Sequence, residues 1–232
     1  KDNTGVETYA TVFSIAPSAR DANVIWTGSD AGYVQVTRDG GTNWKNVTPK
    51  DLPEFARISL VEASPLRAGT AYVAANRYQQ DDFAPYVYRT DDFGATWTTI
   101  TAGVGATDFT RAIREDPKRA KLLYLGTEHG IYVSFDDGAN WQSLKQNLPD
   151  TPVHDIAFDN VARDLVVATH GRGFYVMDNI SPLRQGGLQT TSNIHLYKPE
   201  DALRGLDRSL AVDYYLKAAA EMVTMEFLDG QG

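Results

Sequence analysis

One eight-residue pattern, written three times, constrains this chain more than any other feature. Residues 37–44 read T-R-D-G-G-T-N-W, residues 90–97 read T-D-D-F-G-A-T-W, and residues 134–141 read S-F-D-D-G-A-N-W. The shared form is Ser/Thr-x-Asp-x-Gly-x-Thr/Asn-Trp. The aspartates Asp39, Asp92 and Asp136 lie 53 and 44 residues apart. Self-similarity at that period belongs to a repeated supersecondary unit.

The flanks of the octets repeat as well. A strand-like run precedes each one, at 33–36, 86–88 and 131–133, and a second set comes before those, at 24–28, 70–74 and 122–126. First strands lead the units at 12–16, 58–62 and 110–114. Pro17, Pro65 and Pro117 follow them, where a strand should stop. Fourth strands follow the octets at 44–47, 97–100 and 141–144. A partial fourth unit (153–158, 165–169, 174–178) has no octet and leaves through Pro182. Four short antiparallel strands per ~45 residues predict the blades of a β-propeller. The second unit carries an insertion, 76–85, between its second and third strands.

Each octet falls on the turn between third and fourth strands. An aspartate there accepts backbone N–H bonds across the turn, and Gly41, Gly94 and Gly138 supply positive φ. Trp44, Trp97 and Trp141 can each bury ~150–250 Å² against neighbours. Catalysis or calcium binding is the other use for such aspartates. Three equivalent sites on separate blades cannot face one substrate, and the Asp91-Asp92 and Asp136-Asp137 doublets lack EF-hand spacing. The octets therefore read as folding staples.

Composition removes several classes of chemistry. The chain has no cysteine, which excludes disulfides, cysteine-held metals and a thiol nucleophile. A net charge of −8 argues against a nucleic-acid surface. No apolar run approaches the ~18 residues of a membrane span. The polar opening, residues 1–5, is no signal peptide, so any such segment is expected to have been removed. His129, His154 and His170 have no shared short spacing, so no metal is expected, and no cofactor motif is present.

The octets resemble the Asp-box, or BNR, repeats of sialidases, xyloglucan-type glycoside hydrolases and sortilin-like propellers. The resemblance covers residues 8–185. Residues 168–175 (A-T-H-G-R-G-F-Y) and the exit 180–185 (I-S-P-L-R-Q) are most like the propeller end of large bacterial BNR-repeat glycosyl-hydrolase-like or sortilin-like proteins. It implies a larger ring, commonly of seven blades, so the chain is expected to be a piece whose N-terminal half is missing or held as a partner chain. Closure as a four-bladed ring is the alternative. The expected fold is all-β. Residues 1–185 form the C-terminal part of a propeller, 186–209 a connector, and 210–232 the first strands of a truncated β-sandwich, at 210–216 and 222–228. Residues 217–221 are either their turn or one turn of helix.

With the octets on one face, ligand is left the other, where first strands begin and second strands turn into third. That face should carry Asp30, Arg57, the insertion, Asp108, Arg111, Glu128, His129, His154, Asp155, His170 and Arg172. Arg57, Arg111 and His154 start successive first strands at the tunnel mouth and suit a carboxylate or sulfate. Otherwise the arginines pair with acids such as Asp108 or Glu115. In the insertion, Tyr78, Phe83 and Tyr86 are placed to stack on a sugar or peptide, or else the segment folds over its own blade. Glycoside hydrolysis needs two carboxylates ~5–9.5 Å apart. The candidates are Asp30, Asp81, Asp82, Asp108, Glu128 and Asp155, with no pair standing out. The expectation is an extracytoplasmic propeller that acts on or binds carbohydrate, a glycoside hydrolase if it is an enzyme. The alternatives are a sortilin-like peptide- or protein-binding propeller and a structural subunit.

Overall fold

The computed structural model describes residues 3–4, 7–8, 10–161, 163–186, 192–199 and 211–228. Short strands β1 (Asn3–Thr4) and β2 (Glu7–Thr8) pair first. Next come three four-stranded antiparallel sheets, each in sequential order. They are β3 (Val12–Pro17), β4 (Ile25–Ser29), β5 (Val34–Thr37), β6 (Lys45–Asn46); β7 (Arg57–Ala63), β8 (Ala71–Arg77), β9 (Asp82–Thr90), β10 (Thr98–Thr99); and β11 (Thr110–Glu115), β12 (Leu123–Thr127), β13 (Ile131–Ser134), β14 (Gln142–Ser143). A fourth sheet has three strands, β15 (Val153–Asp159), β16 (Asp164–Thr169) and β17 (Phe174–Met177).

Two details differ from the sequence reading. The fourth strands shrink to two residues, beginning one residue after each tryptophan. The insertion is not an open loop: β8 and β9 run on as a hairpin, pairing Arg77 with Asp82 around a single 3-10 turn at Tyr78–Gln80.

Three features make the octets clamps. In the first, the Thr37 hydroxyl bonds Asp39 Oδ1 at 2.8 Å and accepts the Gly41 N–H at 3.0 Å. Asp39 accepts the Asn43 N–H and side-chain amide at 2.9 and 2.7 Å. The same bonds recur at Thr90, Asp92, Gly94 and Thr96, and at Ser134, Asp136, Gly138 and Asn140. The clamp then reaches its neighbour. Trp97 Nε1 donates to Val47 O at 2.6 Å, and Trp141 Nε1 to Ile100 O at 2.7 Å, each across to the preceding sheet. Gly94 and Gly138 lie so close to Val47 and Ile100 that a Cβ on either would meet them at 2.6 Å. Trp44 instead bonds Gly41 O of its own octet at 3.1 Å and is 42% exposed.

The core lies between sheets rather than within one. Trp26, Val36, Ile58, Val73 and Tyr88 form the first interface, with Trp97 edge-on to Trp26 at 6.3 Å. Leu60, Tyr72, Val87, Ile113, Leu125 and Trp141 form the second. A buried charge network joins second and third sheets. Asp137 takes two bonds from Arg67, at 2.8 and 2.9 Å, one from the Tyr72 hydroxyl at 2.6 Å, and pairs with Arg89 at 3.2 Å. Glu115, fully buried, bonds Arg67 and Ser64. At the two ends of the series, apolar side chains face outward: Phe13 and Ile15 on β3, Phe174 and Val176 on β17.

The compact units divide between Asn179 and Ile180, six residues before the boundary read from sequence. The second unit holds α1 (Ser181–Arg184) and two paired strands, β18 (Ile194–Leu196) and β19 (Tyr214–Leu216). The strand expected at 210–216 is thus partly formed, pairing backwards with 194–196. Among the described residues, 222–228, expected as a strand, form none and stay exposed. Residues 187–191 and 200–210, most of the expected connector, lie outside the described residues.

Candidate functional site at the bulged strand ends

In all four sheets the first strand slips by one residue against the second. The slips fall between Val12 and Ser14, Ile58 and Leu60, Thr110 and Ala112, and Val153 and Asp155. Each slip leaves one bulged residue: Phe13, Ser59, Arg111 and His154. A β-bulge re-aims its side chain and often marks a functional rim. Here the four are equivalent positions on adjacent innermost strands, at the end opposite the octets. Arg111 and His154 were legible as candidates from sequence. Phe13 and Ser59 were missed, because a bulge has no local sequence signal when its residue is neither Gly nor Asn.

Around the bulges the side chains converge. Arg57 lies over the Phe13 ring at 3.9 Å. Arg111 gives Nε and Nη2 to Glu128 Oε2 at 2.8 and 2.5 Å, and faces the rings of Phe109 at 4.9 Å and Tyr78 at 5.4 Å. Tyr78 stacks on Phe109 at 5.0 Å, and Phe83 flanks Phe109 at 6.1 Å. His154 stacks on His170 with centroids 4.9 Å apart. His154 is held less basic than usual. Its ring is partly stripped of water, and Arg111, His170 and Arg57 add positive charge, against which Glu128 pulls. Arg57, Arg111 and His154, expected together at the tunnel mouth, are near one another, and Tyr78 and Phe83 of the insertion join Arg111 through Phe109, whereas Arg172 is exposed on the β16–β17 turn.

The carboxylate candidates fare differently. Asp82 is the lock of the hairpin. It accepts Arg77 Nη1 at 2.8 Å, the Tyr86 hydroxyl at 2.7 Å and the Ala84 N–H at 3.1 Å. Burial raises its pKa, and these bonds more than reverse the effect, leaving it below the ordinary value. Tyr86 is thereby tied down rather than free to stack. Asp108, buried, accepts the His129 N–H at 3.1 Å and the Tyr132 hydroxyl at 2.9 Å. Asp155 accepts Arg114 Nη2 at 2.9 Å, and Arg114 reaches Glu62 at 2.7 Å. The result is a Glu62–Arg114–Asp155 ladder across the first strands of three sheets. Asp81 is exposed beyond the 3-10 turn, with a left-handed φ of 56°. Asp30, on the β4–β5 turn, has Oδ1 buried without a partner. The acids the sequence offered to the arginines were Asp108 and Glu115. The structure pairs Arg111 with Glu128 instead and gives Glu115 to Arg67. Among the described residues no group of three or more His, Asp or Glu side chains is placed to hold a metal ion.

No known protein-family profile matches the chain. Xyloglucanase Xgh74A of Acetivibrio thermocellus is 26% identical across 57% of this chain and 18% of its own length. The GH74 xyloglucanase of Xanthomonas campestris superimposes with a TM-score of 0.61 at 16% identity, covering 82% of this chain and 32% of that one. The Cps50 (Swd1) β-propeller domain of Myceliophteria thermophila gives 0.54 at 12% identity, covering 72% and 52%. The chain is a partial β-propeller. It spans about a fifth of the curated relative it matches, and the four sheets are its blades. No described helix is long and apolar enough to cross a membrane.

Proposed function

We propose that this chain is part of an extracytoplasmic Asp-box propeller that acts on carbohydrate in the manner of a glycoside hydrolase, and that its bulged face holds the glycan. The observation that carries the reading is the convergence of four bulged first strands on one cluster, with Tyr78, Phe83 and Phe109 beside Arg111 and Glu128. Aromatic faces beside charged hydrogen-bonding groups suit the apolar face and hydroxyl rim of a sugar ring. The likeness to a xyloglucanase sequence supports the same class.

The role of this piece is to bind and orient. Asp82, Asp108 and Asp155 are each engaged by arginine, tyrosine or backbone donors. In this reading the acid–carboxylate pair of hydrolysis draws on blades beyond these four. Further blades also cover the outward apolar residues of β3 and β17 and give Trp44 a carbonyl like those bound by Trp97 and Trp141.

The test is calorimetric titration of the chain with neutral β-glucan oligosaccharides, xyloglucan fragments included. Binding that weakens in Tyr78→Ala supports the reading. Absence of glycan binding, with retention of an extended peptide on the same face, rejects it for a sortilin-like receptor.

A further inference from the structure

Five arginines of this propeller are held by acids. Arg67, Arg77, Arg89, Arg111 and Arg114 each pair with a carboxylate within 3.5 Å. Arg57 is the exception among those of the bulged face's strands. Its guanidinium rests on the Phe13 ring, and its Nε is buried with no acceptor. A partly buried guanidinium left without an acceptor is costly unless something else supplies one.

The surroundings define what that something is. Arg111 and Glu128 offset one another, and Arg114 is likewise paired with acids, so Arg57 is the arginine of the bulged first strands without a carboxylate partner. His154, stacked on the His170 ring, adds positive charge there when protonated. Three residues further along β11, about 10 Å deeper at strand rise, Arg114 is held between Glu62 and Asp155. Both carboxylates engage Arg114, so that guanidinium is not free for an anion. On the other side of Arg111 lie the Tyr78, Phe109 and Phe83 rings, with Phe83 45% exposed. A free anion has no use for that shelf, whereas a pyranose ring does.

We infer that the mouth takes an acidic glycan, a uronic acid residue whose carboxylate is seated on Arg57 beside His154 and His170, with a neighbouring sugar against the Phe83 shelf. The inference rests on the carbohydrate reading above and narrows it to a charged substrate class. The charged and titratable groups facing His154 are Arg111 from β11, His170 from the β16–β17 turn, Glu128 from the β12–β13 turn and Arg57 from β7, with Asp155 next to it in the chain. Bound carboxylate favours the protonated form of His154, so binding strengthens as pH falls.

The experiment is titration of the chain with tetragalacturonate and with its carboxyl-reduced neutral counterpart, at pH 7.5 and 5.5. The expected result is at least about tenfold tighter binding of the acid, in line with a charge-assisted hydrogen bond, and a further gain at pH 5.5. Arg57→Gln removes that preference, so the acid and its reduced counterpart bind alike. Arg57→Lys keeps part of it, which separates charge loss from misfolding. Equal binding of the acid and its reduced form overturns the inference while leaving the carbohydrate reading intact. Binding of neither glycan rejects both. Sulfate or polyglutamate binding as tightly as tetragalacturonate overturns the glycan class.

Discussion

The indole N–H of Trp97 bonds the carbonyl of Val47, fifty residues earlier and on the preceding blade, at 2.6 Å. Trp141 does the same to Ile100 at 2.7 Å. The octet thus closes its own turn and fixes the spacing to the blade before it, so one short motif specifies both local and long-range structure.

Replacing Trp97 or Trp141 by Phe keeps most of the ring contact and leaves a carbonyl unpaired at a packed interface. The expected loss is about 1–3 kcal/mol each, read as a lower urea midpoint with unchanged slope. Trp44→Phe costs less, because its partner Gly41 is on an exposed turn of the same octet.

Gly138→Ala forces a Cβ to 2.6 Å from Ile100 Cδ1 at a φ of +85°. Strain and overpacking together cost about 2–4 kcal/mol. Gly41→Ala has the same positive φ but no atom nearer than 4.0 Å, so it loses only the conformational part, roughly 1 kcal/mol. A thermal melt of the two variants side by side gives the difference directly.

Asp137→Asn leaves Arg67 and Arg89 facing a neutral amide in the interface of second and third blades. Burial pushes the Asp137 carboxyl up, but bonds from Arg67 and Tyr72 and the charges of both arginines hold it below its usual value. Breaking such a network from one side costs about 3 kcal/mol. Both arginines are a quarter exposed, so the loss shrinks at high salt. Denaturation in 0.05 and 1 M sodium chloride checks both parts.

Acid destabilises the propeller through the clamps. The Asn43 N–H, the Asn43 amide and the Thr37 hydroxyl lower the Asp39 pKa from 3.8 to about 2. Bonds from Thr96 lower Asp92; burial, the largest single influence, raises Asp136, and the bonds from Asn140 and Ser134 together leave it below its ordinary value. A carboxylate whose folded pKa is depressed adds stability above its unfolded pKa and loses it as pH falls. Stability should therefore be level from pH 7 to 5 and decline from about pH 4 towards 2. An Asp39→Asn, Asp92→Asn, Asp136→Asn triple variant, already weakened at pH 7, shows a shallower decline. An unchanged pH profile in that variant would place the acid sensitivity elsewhere.

Sequence alone determined the blade count, the strand order and the staple role of Asp39, Asp92 and Asp136. Those features are local: turn chemistry and strand periodicity act within a few residues and repeat visibly. It also set Arg57, Arg111 and His154 at one end of the first strands, since strand direction follows from the repeat. Tertiary structure decided which groups meet, within a blade as well as between blades. Glu128 rather than Asp108 answers Arg111, Arg114 claims Asp155, and Asp82 is used up inside its own hairpin. The bulges that aim Phe13 and Ser59 were equally hidden. Asp82's side-chain partners are only four and five residues away, but those of Arg111 and Arg114 lie 17 to 52 residues off; packing distance and the need to satisfy buried charge choose them, and no short window of sequence records that choice.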